Sequence, residues 1–458
     1  MSRSGAVNRY KRIVLPGGTK VVTEEIPHVR SCTVGLWLNA GSRWESPKIN
    51  GISHFIEHLV FKGTESRTAR KIAEEIDEVG GYLNAVTTKD YTCYYAKVTD
   101  RCMRLAVDII CDIACRPLLA ESDITKEKGV IAEEIAMYED SPEEVVHDLL
   151  ASTAWGPCAL GLPTLGSLKT LKSLGRDDIV KYMSEHYVTE GAVISAAGNI
   201  KHDEVVEEVN KRLDLSRRKM KSPTTSKWKP GAQAFRSKAI EQAHLCIGYE
   251  AFNRNHPDRF GLYVLDVAFG GGLSSRLFQK LREDRGLVYS TYSYTALYED
   301  TGVFAVYAGT GVENISLVKD LIMEELYDIC NNGLKWEEYN RGKEQLKNAL
   351  ALNLETTNSR MSRLGRLELA GEPLYTPDEI SRVIDDVTYN DVTRIAGHLL
   401  GKESPVIAVA GPRKTESFLI RRELNDARSR EKIANTSDSN RRFARRATLN
   451  DSPTSRKA

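Results

Sequence analysis

Apolar positions along this chain follow two periods, and the switches between them outline its elements. Strand-like runs stand at 32–42 (CTVGLWLNAGS) and 243–252 (AHLCIGYEAF), and hairpin-like runs rich in Tyr and Thr stand at 81–98 and 288–309. Helical periodicity marks GISHFIEHLVF at 51–61, FGLYVLDVAFGG at 260–271, and the longer segments MRLAVDIICDI at 103–113 and ISLVKDLIMEELYDI at 315–329. Apolar runs of strand type, GAVISAAGNI at 191–200 and SPVIAVAG at 404–411, close the two series. The order of strand, buried helix, hairpin, amphipathic helix and closing strand therefore occurs twice. A period of about 210 residues is too long for a solenoid repeat. The pattern predicts an α+β fold of two homologous domains, each a mixed, mainly antiparallel β-sheet with helices on one face.

Breaks in this pattern set the expected boundaries. Residues 216–234 (SRRKMKSPTTSKWKPGAQA) are polar and aperiodic, with Pro223 and Pro230, and read as a linker between a first domain at 1–215 and a second at 235–420. Residues 421–458 lose apolar periodicity altogether. They hold eleven Lys and Arg against five Asp and Glu, leaving 53 basic and 58 acidic residues in the rest. The formal net charge of +1 is thus a cancellation between a mildly acidic body and a basic tail expected to be disordered. The cluster RRFARR gives that tail its one route to an acidic partner or nucleic acid.

Composition removes several classes. With 41% hydrophobic and 28% charged residues the chain is neither collagenous nor wholly disordered. No run approaches the roughly 18 apolar residues of a membrane span, and the first residues lack the apolar stretch of a secretory signal. Eight scattered cysteines form no C-x-x-C pair, and Cys111 and Cys115 at i,i+4 read as small core residues of one helix. Free thiols suit a reducing compartment, so the expected location is the cytoplasm. An early basic segment (Arg3, Arg9, Lys11, Arg12, Lys20) without acids gives the mitochondrial matrix as the alternative.

The strongest chemical signal is His54-Phe55-Ile56-Glu57-His58. On a helix, His54, Glu57 and His58 share one side while Ile52, Phe55, Ile56 and Leu59 take the other. Two imidazoles at i,i+4 reach one metal ion, and the carboxylate beside them serves as a base. This is the H-x-x-E-H inverzincin pattern. A catalytic zinc needs a third protein ligand. Glu127 and Glu134 share a face of the next acidic helix, ITKEKGVIAEEIAMYED, while Glu133 points away towards solvent; spacing alone leaves Glu127 and Glu134 both open. Downstream, GGGLSSRLFQKLREDRGLVYS at 270–290 has neither a Walker nor a G-x-G-x-x-G spacing, so its glycines read as a helix end rather than a phosphate loop.

H-x-x-E-H followed about 75 residues later by E-x6-E resembles the pitrilysin family of zinc peptidases, which includes insulin-degrading enzymes and the mitochondrial processing peptidase. GSRWE, GISHFIEHLVFKGT, GGYLNAVTTKDYTCYYAKV and EEIAMYEDSPEEVVHDLL resemble its short two-domain bacterial members, and the likeness runs from about Tyr10 to about Gly411. The resemblance implies one Zn2+ per chain on His54, His58 and Glu134, with Glu127 supporting the site from behind and Glu57 as general base. It implies that Arg282 and Tyr289, seven residues apart, bind substrate and the developing oxyanion. It places Asn84 and Ala85 on a strand bordering the cleft, where an extended peptide adds as a further strand. The second half has no H-x-x-E-H of its own. The expected protein is therefore a zinc endopeptidase of short or unfolded peptides, working as a homodimer in which one chain's second domain completes its partner's site. A presequence-processing subunit and a non-catalytic scaffold are the alternatives.

Overall fold

The computed structural model describes residues 10–219, 223–401 and 403–416; the segment 1–9 and the basic tail at 421–458 lie outside the described residues. Eleven strands form two sheets. They are β1 (Tyr10–Val14), β2 (Lys20–Glu25), β3 (Ser31–Leu38), β4 (Tyr82–Thr87), β5 (Thr92–Thr99), β6 (Val193–Gly198), β7 (Gln233–Ser237), β8 (Gln242–Ala251), β9 (Val288–Leu297), β10 (Gly302–Gly311) and β11 (Val406–Gly411). The first sheet runs β1-β2-β6-β3-β5-β4 and the second β7-β11-β8-β10-β9. Leaving β1 aside, the two orders correspond strand for strand. In each, one parallel pair (β2 with β6, β7 with β11) joins an otherwise antiparallel sheet. The repeat read from the hydrophobic pattern is a repeat of topology.

Alternation along the central strands explains how each sheet is covered. In β3, Val34, Leu36 and Leu38 point into a core with Ile52, Phe55, Ile56 and Leu59 of the Ile52–Val60 helix and with the Met103–Cys115 helix. In β10, Phe304, Val306 and Ala308 do the same with the Arg259–Gly270 and Ile315–Asn332 helices. These are the helices the periodicity assigned to one face.

The opposite faces are not left to solvent. Trp37, Val193 and Ala197 of the first sheet bury against Met361 and Leu364 of the Thr357–Ala370 helix, which comes from the second half. Val303, Ala305 and Tyr307 of the second sheet bury against Val146, Leu150 and Trp155 of the Pro142–Trp155 helix, which comes from the first half. Each half thus lends one helix to the other's sheet. Gly365 makes the first of these contacts possible, because a Cβ there would lie 2.0 Å from the Trp37 indole nitrogen. The halves are further tied by buried Arg43, which donates to Asp300 at 2.6 Å and to Asp90 at 3.4 Å, and by Arg254, which donates to Asp90 at 2.8 Å.

In the interval read as a linker, the described residues form no helix, and its end enters β7. The backbone N–H of Ser226 donates to Asp300 at 2.9 Å, and Trp228 sets its ring against Trp155. All eight cysteines are free thiols; Cys111 is buried and Cys115 half-buried on the Met103–Cys115 helix. Among the described residues no helix is long and apolar enough to cross a membrane.

Candidate metal centre

The H-x-x-E-H residues sit on the Ile52–Val60 helix, whose apolar side is fully enclosed by the first core. Gly51 precedes it at φ 92°, a left-handed conformation in which a side chain is strained, and a Cβ there would lie 2.7 Å from the Leu165 carbonyl oxygen. Glu45 fixes the helix start: its carboxylate accepts from the backbone N–H groups of Gly51 at 2.7 Å and Ser53 at 2.9 Å. Anchored at this end and by its core face, the helix holds His54, Glu57 and His58 towards the Glu121–Glu139 helix.

Glu134 reaches the pair from that second helix. Its Oε2 lies 3.5 Å from His54 Nε2 and 3.4 Å from His58 Nε2, and the ligand atoms of the three residues lie within 4.8 Å of one another. Glu127, two turns earlier and buried, places Oε2 3.2 Å from His58 Nδ1 and receives Lys62 on Oε1 at 2.8 Å. Geometry therefore divides the two glutamates that spacing left open. Glu134 faces both Nε2 atoms, and Glu127 stands behind one ring. Glu133 is exposed, as expected.

The proton positions test whether a metal fits. With Nδ1 of His58 against the Glu127 carboxylate, the ring's proton belongs on Nδ1, which leaves a lone pair on Nε2 directed at the lone pairs of Glu134 Oε2. Burial, reinforced by the neighbouring His58, lowers the His54 pKa to about 4, so that ring is neutral. Two imidazole Nε2 atoms and a carboxylate oxygen converge on one point, and with both rings protonated on Nδ1 their lone pairs there would be relieved by a cation. Two nitrogens and one oxygen from three side chains form the donor set of an open zinc site. The residues fit the metal.

Glu57 is raised from the ordinary glutamate pKa, chiefly by burial and further by Glu134, against a hydrogen bond from Thr87. Its Oε2 is buried without a hydrogen-bond partner among the described residues. Thr87 ends β4, the edge strand of the first sheet, so the strand carrying Asn84 and Ala85 is bonded to β5 alone and reaches Glu57 at its end. Asn84 donates to the Tyr82 hydroxyl and accepts from the Ala85 N–H at 2.8 Å.

Arg282 and Tyr289 are not brought to this centre within the chain. Both are exposed, Arg282 above the Phe278 ring at 5.2 Å and Tyr289 on β9, the edge strand of the second sheet. The expectation that they act on another chain's site is compatible with that separation. The glycines before them end the Arg259–Gly270 helix, as read from the sequence.

Sequence reasoning missed Lys62 and Thr87. Lys62 follows His58 by four residues, so helical spacing held that signal; Thr87 comes from a strand, and nothing local points to it. It also missed that Asp266 occupies, in FGLYVLDVAFGG, the seventh position that Glu57 occupies in GISHFIEHLVF. Tyr263 and Val267 stand where the first copy has His54 and His58. Asp266 accepts from Ser293 of β9 at 2.5 Å, as Glu57 is met by Thr87 of β4.

A helix presenting two histidines and a half-buried acid, met by a glutamate from the next helix and carried by one of two copies of an α+β unit, defines a metal-dependent hydrolase of inverzincin type. The family model for insulinase (peptidase family M16) matches residues 20–168, and that for the peptidase M16 inactive domain matches residues 173–346. The chain belongs to peptidase family M16. It is 42% identical over 403 residues to the uncharacterized zinc protease YmxG of Bacillus subtilis, covering 88% of this chain and 98% of that one. A protein of Streptomyces coelicolor, also named an uncharacterized zinc protease, is 42% identical over 419 residues, 89% of this chain and 91% of its own. Among solved structures, a protease from Helicobacter pylori shares the fold with a TM-score of 0.82 at 22% identity, covering 88% of this chain and 99% of that chain.

Proposed function

We propose that this chain is a zinc-dependent endopeptidase of short or unfolded peptides, with His54, His58 and Glu134 as metal ligands and Glu57 as general base. The observation that carries this reading is the convergence of two imidazole Nε2 atoms on one oxygen of Glu134 with the half-buried Glu57 beside them. The relatives named zinc proteases support the choice of metal. Zinc, when bound there, supplies Lewis-acid activation of water and of the scissile carbonyl. Glu57 accepts the proton of the attacking water on its unpartnered oxygen and passes it to the leaving amine; a pKa raised by burial brings it closer to the working pH. Glu127 keeps the His58 proton on Nδ1. The edge strand β4, with Asn84 and Ala85, holds an extended substrate by its backbone, which makes side-chain preference broad.

Arg282 and Tyr289 are assigned to substrate and oxyanion binding in the partner's centre of a homodimer. Both are exposed and make no hydrogen bond or ion pair to this chain's own centre among the described residues, which supports that arrangement. The test is cleavage of a mixed peptide library. Glu57→Gln is expected to abolish cleavage while one zinc per chain remains bound; cleavage surviving in that variant overturns the mechanism. Mixing inactive Glu57→Gln and Tyr289→Phe chains is expected to restore activity, since one site of each mixed dimer is then intact. Absence of restoration in mixed dimers overturns action in trans.

A further inference from the structure

A cavity of about 770 Å³ lies between the two halves, over the second copy's counterpart of the metal centre. Tyr263, which stands where the first copy has His54, lines it, as does Thr295 of β9. Around this relic of the site the charge has been inverted. Lys89, Arg254, Arg259, Arg363 and Arg366 line the cavity, against Asp90 and Glu372. Asp90 is taken by Arg254 at 2.8 Å, and Glu372 lies 3.8 Å from Arg259.

The other two arginines meet no carboxylate among the described residues. Arg363 is 8% exposed and donates only to neutral oxygens, the Tyr375 carbonyl at 2.6 Å and the Tyr10 hydroxyl at 3.4 Å. Arg366, one turn further along the Thr357–Ala370 helix, makes no hydrogen bond or ion pair among the described residues. The Arg363 guanidinium, buried without a carboxylate among the described residues, is costly there, and a bound anion offsets it; Arg366 is exposed and adds a second cation at the same wall. Phe260, Leu297, Leu346 and Leu350 supply apolar walls beside these cations.

The remaining wall indicates what the anion is attached to. Thr88, Lys89, Asp90 and Tyr91 form the turn that continues directly from Thr87, the residue bonded to Glu57 at the end of the edge strand. A chain laid along β4 past Glu57 runs on towards this turn and the cavity behind it. We infer that the cavity is a subsite for the terminal carboxylate of a peptide ending in an apolar or aromatic residue, bound by Arg366 and Arg363. Its assignment to a peptide rests on the peptidase reading above; the anion site itself does not.

Calorimetric titration separates the two. A pair of hexapeptides ending in Phe, one as the free acid and one as the amide, is titrated into the full chain carrying Glu57→Gln, so that no turnover is required. The acid is expected to bind at least about tenfold more tightly than the amide, the step a charge-assisted pair supplies. Arg366→Gln, at an exposed position, is expected to reduce that ratio below about threefold and Arg366→Lys to restore part of it. Equal affinities for acid and amide, or a ratio unchanged in Arg366→Gln, overturn the anion site. 3-Phenylpropionate offers the same ring and carboxylate without a peptide bond and is expected to bind more weakly than the peptide acid. Equal or tighter binding of 3-phenylpropionate overturns the peptide assignment. Loss of peptide cleavage in the unmodified chain leaves each of these readouts intact and bears only on the peptidase reading.

Discussion

Removing the Glu127 carboxylate tests the centre where geometry and spacing diverge. Glu127 is buried, lies 3.2 Å from His58 Nδ1 and holds Lys62 at 2.8 Å. In Glu127→Ala the Nδ1–H of His58 loses its acceptor, which costs about 1–3 kcal/mol for a buried donor. Lys62, 37% exposed, re-solvates and adds little. Because the ring is then free to turn or change tautomer, zinc affinity is expected to fall 10–100-fold, or about 1.4–2.8 kcal/mol. Glu127→Gln keeps a carbonyl acceptor without the charge and is expected to lose less than tenfold. Glu134→Ala removes a ligand outright and should lose most. Competition titration of the full chains against a chromophoric chelator reads all four affinities, with circular dichroism to establish that each is folded. The expected order is unmodified, Glu127→Gln, Glu127→Ala, Glu134→Ala. An affinity for Glu127→Ala within about threefold of the unmodified chain refutes the supporting role. A loss larger than that of Glu134→Ala reverses the assignment of ligand and support.

Two further predictions concern the fold that holds the centre. Burial raises the Asp266 pKa to about 6, so the folded chain binds the proton more tightly than the unfolded one, and stability from this group falls as pH rises from about 4 to about 6. Asp266→Asn should remove that loss, on the order of 3 kcal/mol by pH 7; denaturant unfolding at pH 4 and pH 7 that gives the same difference between variant and parent at both is the contrary result. Gly365→Ala places a Cβ 2.0 Å from the Trp37 indole nitrogen and should destabilise by about 1–3 kcal/mol. Gly129→Ala, with nothing within 4 Å of its Cβ in the Glu121–Glu139 helix, should stabilise by up to about 1 kcal/mol. Unfolding midpoints that move in the same direction for the two glycines contradict the close approach at Trp37.

What the sequence made legible follows from where the signal lies. Ile52, Phe55, Ile56 and Leu59 mark the buried side of one helix through contacts within that helix's own period, so the opposite disposition of His54, Glu57 and His58 follows from spacing. The two-copy plan was legible for the same reason, since each copy repeats local patterns in the same order. Glu134 was narrowed to a pair by its helix face, and resemblance made the choice that the Nε2 geometry now supports. The lent helices were not legible. The 142–155 segment carries apolar residues that fit a neighbouring sheet of either half, and only the folded chain brings Leu150 to Tyr307 rather than to β3. Thr87 and Arg366 were hidden likewise, because their partners and surroundings come from segments distant in the chain.

The duplication also explains why one copy alone carries the metal centre. Both copies carry an acid at the same helix position and a hydroxyl on the edge strand to hold it: Glu57 with Thr87, Asp266 with Ser293. The pair serves the local architecture, tying a buried helix to the sheet edge, and so persists with or without chemistry. The histidines have no such structural duty. Where Tyr263 and Val267 replace them no cation is required to relieve opposed lone pairs, and arginines occupy the surrounding wall instead. A cation site and an anion site thus arise from the same scaffold by exchanging what faces the conserved acid. The exchanged helices bind the two copies into one body, and the Thr357–Ala370 helix both covers the first sheet through Met361 and Leu364 and presents Arg363 and Arg366 to the cavity. Two of the cations at the second copy's counterpart site therefore come from a helix whose apolar face is committed to the sheet that carries the metal centre.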